Sequence, residues 1–149
     1  MSETKKIVVA SGVFDLVHYG HVRFLEEAKK AGGKDSYLIV IVARDKTVEK
    51  LKGRKPIMPE DQRRALVESL KPVNEAILGF EDLSFKDAII SIKPDIIAVG
   101  YDQTSIKESV KKTISDMKSN VKVVCVGRFG SSDLDSSSKI KRRILEEAS

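Results

Sequence analysis

An α/β fold is the class this sequence predicts: a five-stranded parallel sheet with helices on both faces, in a three-layer sandwich. Three observations lead there. Five short apolar runs, Ile7 to Ala10, Tyr37 to Ala43, Glu75 to Leu78, Ile96 to Val99 and Val121 to Val126, are continuous rather than alternating, as strands buried on both faces require. Helical patterns separate the runs, and alternating β and α elements need crossovers, hence a parallel sheet. The first run passes through a glycine-bearing loop, Ser11 to His21, into a pattern with Val22, Leu25 and Ala28 on one face, the strand, loop and helix order of a Rossmann-like fold. All strand C-termini then share one edge, and ligands bind there, where the strand order reverses.

A chain of 149 residues suits one domain, 1–149, with a normal core. No apolar run approaches the roughly 20 residues that span a bilayer. Residues Met1 to Lys6 lead straight into the first run, so no signal peptide is expected and a cytoplasmic location follows. The lone cysteine, Cys125, sits in an apolar run and is expected to be a buried small hydrophobe. Net charge is +5, from 27 Lys and Arg against 22 Asp and Glu, which suits polyphosphate ligands as well as nucleic acid. Aromatic residues are only 5%, with no Trp, so a stacking platform for single strands has little support and no nucleic-acid partner is expected.

The loop after the first run holds both histidines, His18 and His21, three positions apart. If the helix already includes them, they project from one side of its first turn. A helix N-terminus is a ready anion site, and phosphate is its usual occupant. Gly12 and Gly20 would admit phosphates close to the backbone, and neutral imidazoles would donate to developing charge. The stretch reads as a nucleotide-phosphate cradle. A cap with a packed side chain, or half a metal site, are the alternatives, but no second His or Cys cluster completes a metal shell, and no metal ligands are assigned.

The second run ends at Arg44-Asp45, with Asp45 as N-cap of a short helix, Lys46 to Leu51, that stops at Gly53. The basic connection Lys52 to Pro59 leaves the same sheet edge, where its cations find phosphate within reach; a solvated turn is the plain alternative. Pro59 at the first helical position, with Glu60 and Asp61 behind it, opens a helix whose buried stripe is Leu66, Val67 and Leu70. After the third run, Ser84 caps a helix that turns Phe85, Ala88, Ile89 and Ile92 inward. The fourth run ends at Gly100-Tyr101-Asp102-Gln103, where Asp102 either meets the nucleotide or caps a helix burying Ile106, Val110 and Ile114. The fifth ends at Gly127-Arg128-Phe129, and a flexible stretch leads to Ser136-Ser137-Ser138 before a helix with Ile140, Ile144 and Leu145 on its apolar side. Hydroxyl and N–H donors would converge at that second positive helix end.

Gly12-Val13-Phe14-Asp15-Leu16-Val17-His18-Tyr19-Gly20-His21 resembles the G-x-F-D-x-x-H-x-G-H signature of the cytidylyltransferase-like nucleotidyltransferases. These transfer a nucleoside monophosphate from an NTP to a phosphate or phosphonate acceptor and release pyrophosphate. Lys50 to Pro56 followed by Glu60-Asp61-Gln62-Arg63 is similar to the family's K-x-x-K-G-x-x-P and E-x-R segments. Ser136 to Ile140 resembles its I-S-T-T-x-I signature, with serines for both threonines, Asp135 where many members carry Ile or Cys, and Ser131 to Asp135 as an insertion. The resemblance implies catalytic roles for His18, His21, Lys52 and Arg63, and nucleotide contacts from Gly12, Val13, Phe14, His18, Tyr19, Gly20, His21, Asp102, Arg128, Phe129, Ser136, Ser137 and Ser138. It places the acceptor near Asp15, Lys52 and Lys55. Arg63 as a solvated side chain on a helix face is the alternative.

Taken over nearly the whole chain, Ile41 to Pro56, Asp95-Ile96-Ile97 and Gly100 to Gln103 look closest to the archaeal-type FAD synthases, which join FMN to AMP from ATP. The resemblance thus implies ATP and FMN as substrates, Mg²⁺ bridging phosphates rather than sitting in a protein cage, and a homodimer. A cytidylyltransferase using CTP and glycerol 3-phosphate is the second reading, and a non-catalytic nucleotide-binding module the third.

Overall fold

The structure, a computed structural model, describes residues 5–79, 85–127 and 137–148. Five strands run in parallel: β1 (Ile7–Gly12), β2 (Tyr37–Val42), β3 (Glu75–Leu78), β4 (Ile96–Gly100) and β5 (Lys122–Val126), in the order β3-β2-β1-β4-β5. Between and after them come α1 (Tyr19–Ala31), α2 (Asp45–Lys52), α3 (Glu60–Glu68), α4 (Lys86–Ile92), α5 (Thr104–Met117) and α6 (Ser137–Ala148). The expected three-layer arrangement is what the chain adopts.

Side chains along a strand alternate between faces, and the core divides accordingly. Val8 and Ala10 of β1 pack with Leu25 and Ala28 of α1 and Val67 of α3, while Val9 packs with Ala88 and Ile89 of α4 and Val110 of α5. Both faces of the central strands are thereby dry, which is why their sequences show no alternation. Chain order runs outward from β1 through β2 to β3, then returns to β4 on the other side of β1. The reversal lies between β1 and β4, so the crevice opens beside the end of β1.

Several local expectations change. Asp45 is the first residue of α2 rather than its cap, Pro59 caps α3 rather than opening it, and Gln103 rather than Asp102 caps α5. Gly53 does end α2, in the left-handed conformation at φ 75°, where any side chain would be strained. Leu66 is exposed, whereas α3 buries Val67 as expected and, unexpectedly, Arg63. Cys125 is exposed, because β5 is an edge strand and only one of its faces is well covered. Ile144 and Leu145 also face outward, since the described part of the chain packs nothing over that side of α6. The expected cap Ser84 lies outside the described residues.

Candidate active site

At the end of β1 the chain turns through two left-handed residues, Phe14 at φ 55° and Leu16 at φ 56°. Each such conformation costs roughly 1–3 kcal/mol and is kept only where the surroundings enforce it. Phe14 supplies the enforcement, because its ring is buried in the core beneath the loop and lies against the ring of His21, centroids 5.1 Å apart. An ideal Cβ on Gly12 would stand 2.9 Å from Phe14 Cε2. The missing side chain of Gly12 is therefore filled by Phe14 rather than by a ligand.

The two histidines meet, but not as two residues of one turn. His18 is the extended N-cap of α1 and His21 its third residue; their rings stack with centroids 3.8 Å apart and planes 24° apart. The backbone N–H of His18 donates to His21 Nδ1 at 3.2 Å. With Nδ1 accepting, a neutral His21 carries its proton on Nε2 and presents a donor there. Burial, with a smaller contribution from neighbouring His18, lowers the His21 pKa to about 3 against a weaker opposing pull from Asp15. Near neutral pH His21 is an uncharged donor.

Asp15 is buried, and its carboxylate accepts the backbone N–H groups of Ile57 and Met58 at 2.9 and 3.0 Å, with Lys141 Nζ at 3.3 Å. Burial pushes this carboxyl up, but the Ile57 and Met58 amides and the Lys141 ammonium outweigh it and leave it below the usual carboxylate range. Rather than waiting for an acceptor, both oxygens already tie the basic connection and α6 to the β1 loop. Arg63 does the same from below. Fully buried, it donates to the carbonyls of Met58 (2.9 Å), Val13 (2.7 Å) and Ala43 (2.7 Å), and pairs with Asp45 at 2.6 Å. Its guanidinium joins three loops and does not line the cleft; it is neither the solvated side chain nor, in this arrangement, a direct phosphate contact.

Above these supports is a cleft of about 670 Å³. Gly12, Val13, Phe14, Asp15, His18, Gly20 and His21 form its middle, over β1. On the β4 and β5 side it is bordered by Gly100, Tyr101, Asp102, Gln103 and Gly127. The pairing of β1 with β4 stops at Ala10 and Ala98, and Gln103 bridges the parted ends. Its amide accepts from Gly100 N–H at 2.8 Å and donates to the Ser11 carbonyl at 3.2 Å. On the β2 side the cleft is bordered by α2 and the connection after it, including Lys52, Arg54 and Lys55. These three cations reach the same crevice as the histidines, as the sequence suggested.

Tyr19 does not join them; it is 61% exposed and lies outside the cleft lining. Arg128, Phe129 and Ser136 lie outside the described residues, while Ser137 and Ser138 are the first residues of α6. Sequence reasoning missed Lys141 and Gln103. The signal for Lys141 was its place three residues after Ser138, one helical turn along from the serine cluster; for Gln103 it was adjacency to Asp102. Among the described residues no three His, Cys, Asp or Glu side chains gather to hold a metal ion.

An FAD synthase from Ferroglobus placidus is 52% identical over 144 residues, covering 97% of this chain and 91% of that protein. FAD synthases from Aciduliprofundum boonei and Methanopyrus kandleri are 48% and 43% identical, over 93% and 95% of this chain and 90% and 93% of theirs. A solved structure described as a lipopolysaccharide core biosynthesis protein from Thermoplasma volcanium superposes with a TM-score of 0.76 at 39% identity, covering 85% of this chain and 100% of that one. Residues 9–143 match the family model described as cytidylyltransferase-like. With the stacked histidines at the mouth of the β1–β4 crevice and relatives aligned nearly end to end, the chain belongs to the cytidylyltransferase-like family.

Proposed function

We infer that the chain is a nucleotidyltransferase that transfers AMP from ATP to FMN, giving FAD and pyrophosphate. What carries this reading is the run of FAD synthase relatives over nearly the whole chain, joined to a cleft whose described lining offers imidazole donors and cations. No side chain need attack, because the FMN phosphate already bears a charged oxygen. That oxygen attacks the α-phosphorus of ATP, a new P–O bond forms, and the bond to the bridging oxygen breaks as pyrophosphate leaves in line. Positioning and charge neutralisation supply the rate.

In this reading His21 Nε2–H, with His18 stacked on it, donates to the phosphate oxygens that gain charge. The N-terminus of α1 adds its positive end. Lys52, Arg54 and Lys55 hold the acceptor phosphate, while Arg63 and Asp15 act as positioning residues that fix the loops carrying them. A divalent cation fits as part of the substrate: it would neutralise the triphosphate, since the cleft presents cations and amides rather than a carboxylate cage. The same reading takes residues 1–149 as a single catalytic domain working as a homodimer in the cytoplasm. Among the described residues no helix is long and apolar enough to cross a membrane.

The test supplies ATP or CTP with FMN or glycerol 3-phosphate and measures pyrophosphate and the nucleotide product by chromatography. FAD from ATP and FMN alone is the expected result. Product from CTP and glycerol 3-phosphate would replace this reading with the cytidylyltransferase one, and nucleotide binding without pyrophosphate would reduce the chain to a binding module.

A further inference from the structure

One carboxylate, that of Asp15, is shared by two elements that border the cleft from different sides. Its Oδ2 accepts the N–H of Ile57 at 2.9 Å and Lys141 Nζ at 3.3 Å, and its Oδ1 accepts the N–H of Met58 at 3.0 Å. Ile57 and Met58 belong to the connection that also carries Lys52, Arg54 and Lys55. Lys141 stands one turn into α6 and borders the cleft together with His18 and His21. The ion pair is largely dry, its side chains 6% and 26% exposed, so solvent and salt screen it less than a surface pair. Little else of α6 is covered. From Arg142 to Ala148 every residue is exposed, Ile144 and Leu145 included, and among the described side chains of the helix Ile140 and Lys141 are the partly buried ones. The turn that holds Lys141 therefore seats α6 against the cleft.

We propose that Lys141 is a positioning residue that acts through Asp15, and that this pair couples α6 to the connection so that nucleotide and acceptor each tighten the binding of the other. The proposal rests on the adenylyl-transfer reading, in which the triphosphate lies by the histidines and the acceptor phosphate meets the cations of the connection. A ligand that orders the connection fixes the Ile57 and Met58 amides, hence the carboxylate between them, hence the seat of Lys141. A ligand held beside α6 works back along the same bonds. The second ligand then meets a site whose disorder has already been removed, and the reinforcement is equal in both directions. In-line transfer needs the attacking oxygen and the α-phosphorus held together, so coupling that favours the ternary complex over either binary one serves the reaction.

The experiment measures the Kd of FMN by titration calorimetry, without and with saturating α,β-methylene-ATP, which cannot be cleaved between its α- and β-phosphorus. It is run on the full chain and on Lys141→Met, Lys141→Arg, Asp15→Asn and the Lys141→Met, Asp15→Asn double variant, with thermal midpoints checked first. In the parent the nucleotide should tighten FMN binding about fivefold or more. Lys141→Met should bring that factor to within about twofold of none, and Lys141→Arg should restore most of it. Asp15→Asn should lose the coupling to the same extent, and the double variant should be no worse than either single, as for two residues acting as one unit. If Asp15→Asn unfolds too readily for titration, Lys141→Met against Lys141→Arg still decides. A parent without coupling, coupling that survives Lys141→Met, or independent and additive losses would each overturn the proposal. So would a Lys141→Met variant that loses nucleotide affinity without FMN present while Asp15→Asn keeps it, which would make the lysine a direct phosphate contact. The FAD assay on the parent separates the two readings: no FAD from ATP and FMN removes the adenylylation reading, whereas FAD made by a parent without coupling removes the Asp15–Lys141 link alone.

Discussion

Phe14 occupies the space that a side chain on Gly12 would need: its Cε2 lies 2.9 Å from where that Cβ would be. The same ring supports His21 from the other side, at 5.1 Å between centroids. Glycine, phenylalanine and histidine are thus one packing unit. Gly12→Ala should push Phe14 from its place, cost roughly 1–3 kcal/mol of stability and lower kcat. Thermal unfolding and steady-state kinetics on one preparation check both, and unchanged values for both would reject the coupling.

Replacing His18 or His21 by alanine should lower kcat by roughly 10²–10³ with little change in KM, the pattern of an interaction made mainly in the transition state. Because the pKa of His21 is held at about 3, it stays uncharged as pH falls through 6.5, where an ordinary imidazole would charge. The unfolded chain binds that proton first, so this site's contribution to stability should decline as pH drops below about 6.5 and keep declining toward about 3. Denaturant titrations between neutral and acid pH should show this slope reduced in His21→Ala.

Asp15 carries the same sign, in a more acid window. Its carboxyl lies below the ordinary 3.8, so its stabilisation is present above that pH and is lost as pH falls through the lower folded value. Asp15→Ala would strand the Ile57 and Met58 amides and free Lys141, at a cost of about 2–3 kcal/mol at neutral pH. The measurement is the stability difference at pH 7 and at acid pH, where parent and variant should converge.

Arg63→Ala removes a guanidinium that serves Val13, Ala43, Met58 and Asp45 together. Arg63 is fully buried while Asp45 is 31% exposed, so the main loss is the donors to three carbonyls, roughly 1–3 kcal/mol for each that stays dry. Arg63→Lys should recover only part of it, since an ammonium cannot span the fork. If Arg63 positions loops rather than touching phosphate, the lysine variant should lose kcat while its salt dependence of ATP binding matches the parent; an altered salt dependence would argue for direct contact.

Gln103→Ala should loosen the crevice where β1 and β4 part, because the amide that joins Gly100 N–H to the Ser11 carbonyl is gone. The expected result is a higher KM for ATP with a thermal midpoint reduced by only a few degrees. Faster hydrogen exchange at Gly100 would report the same opening.

Much of the fold was legible because its signals are local. Uninterrupted apolar runs such as Leu38 to Val42 mark strands wet on neither face, and the β1 loop motif placed the site at the sheet edge before any contact was known. Boundaries were less legible. Asp45 and Asp102 each sit beside a helix start and look like caps, yet one carboxylate is taken by Arg63 and the other borders the cleft.

The sequence by itself determined the order of strands and helices, the parallel sheet and the pairing of His18 with His21 near a helix end, since spacing and periodicity act over a few residues. Only the tertiary structure decided which charged groups face the cleft and which brace it. It buried Arg63, engaged both oxygens of Asp15, turned Tyr19 outward and exposed Leu51 on the cleft wall. Burial of a side chain depends on what packs across from it, and those partners lie up to 126 positions away, as Lys141 does from Asp15.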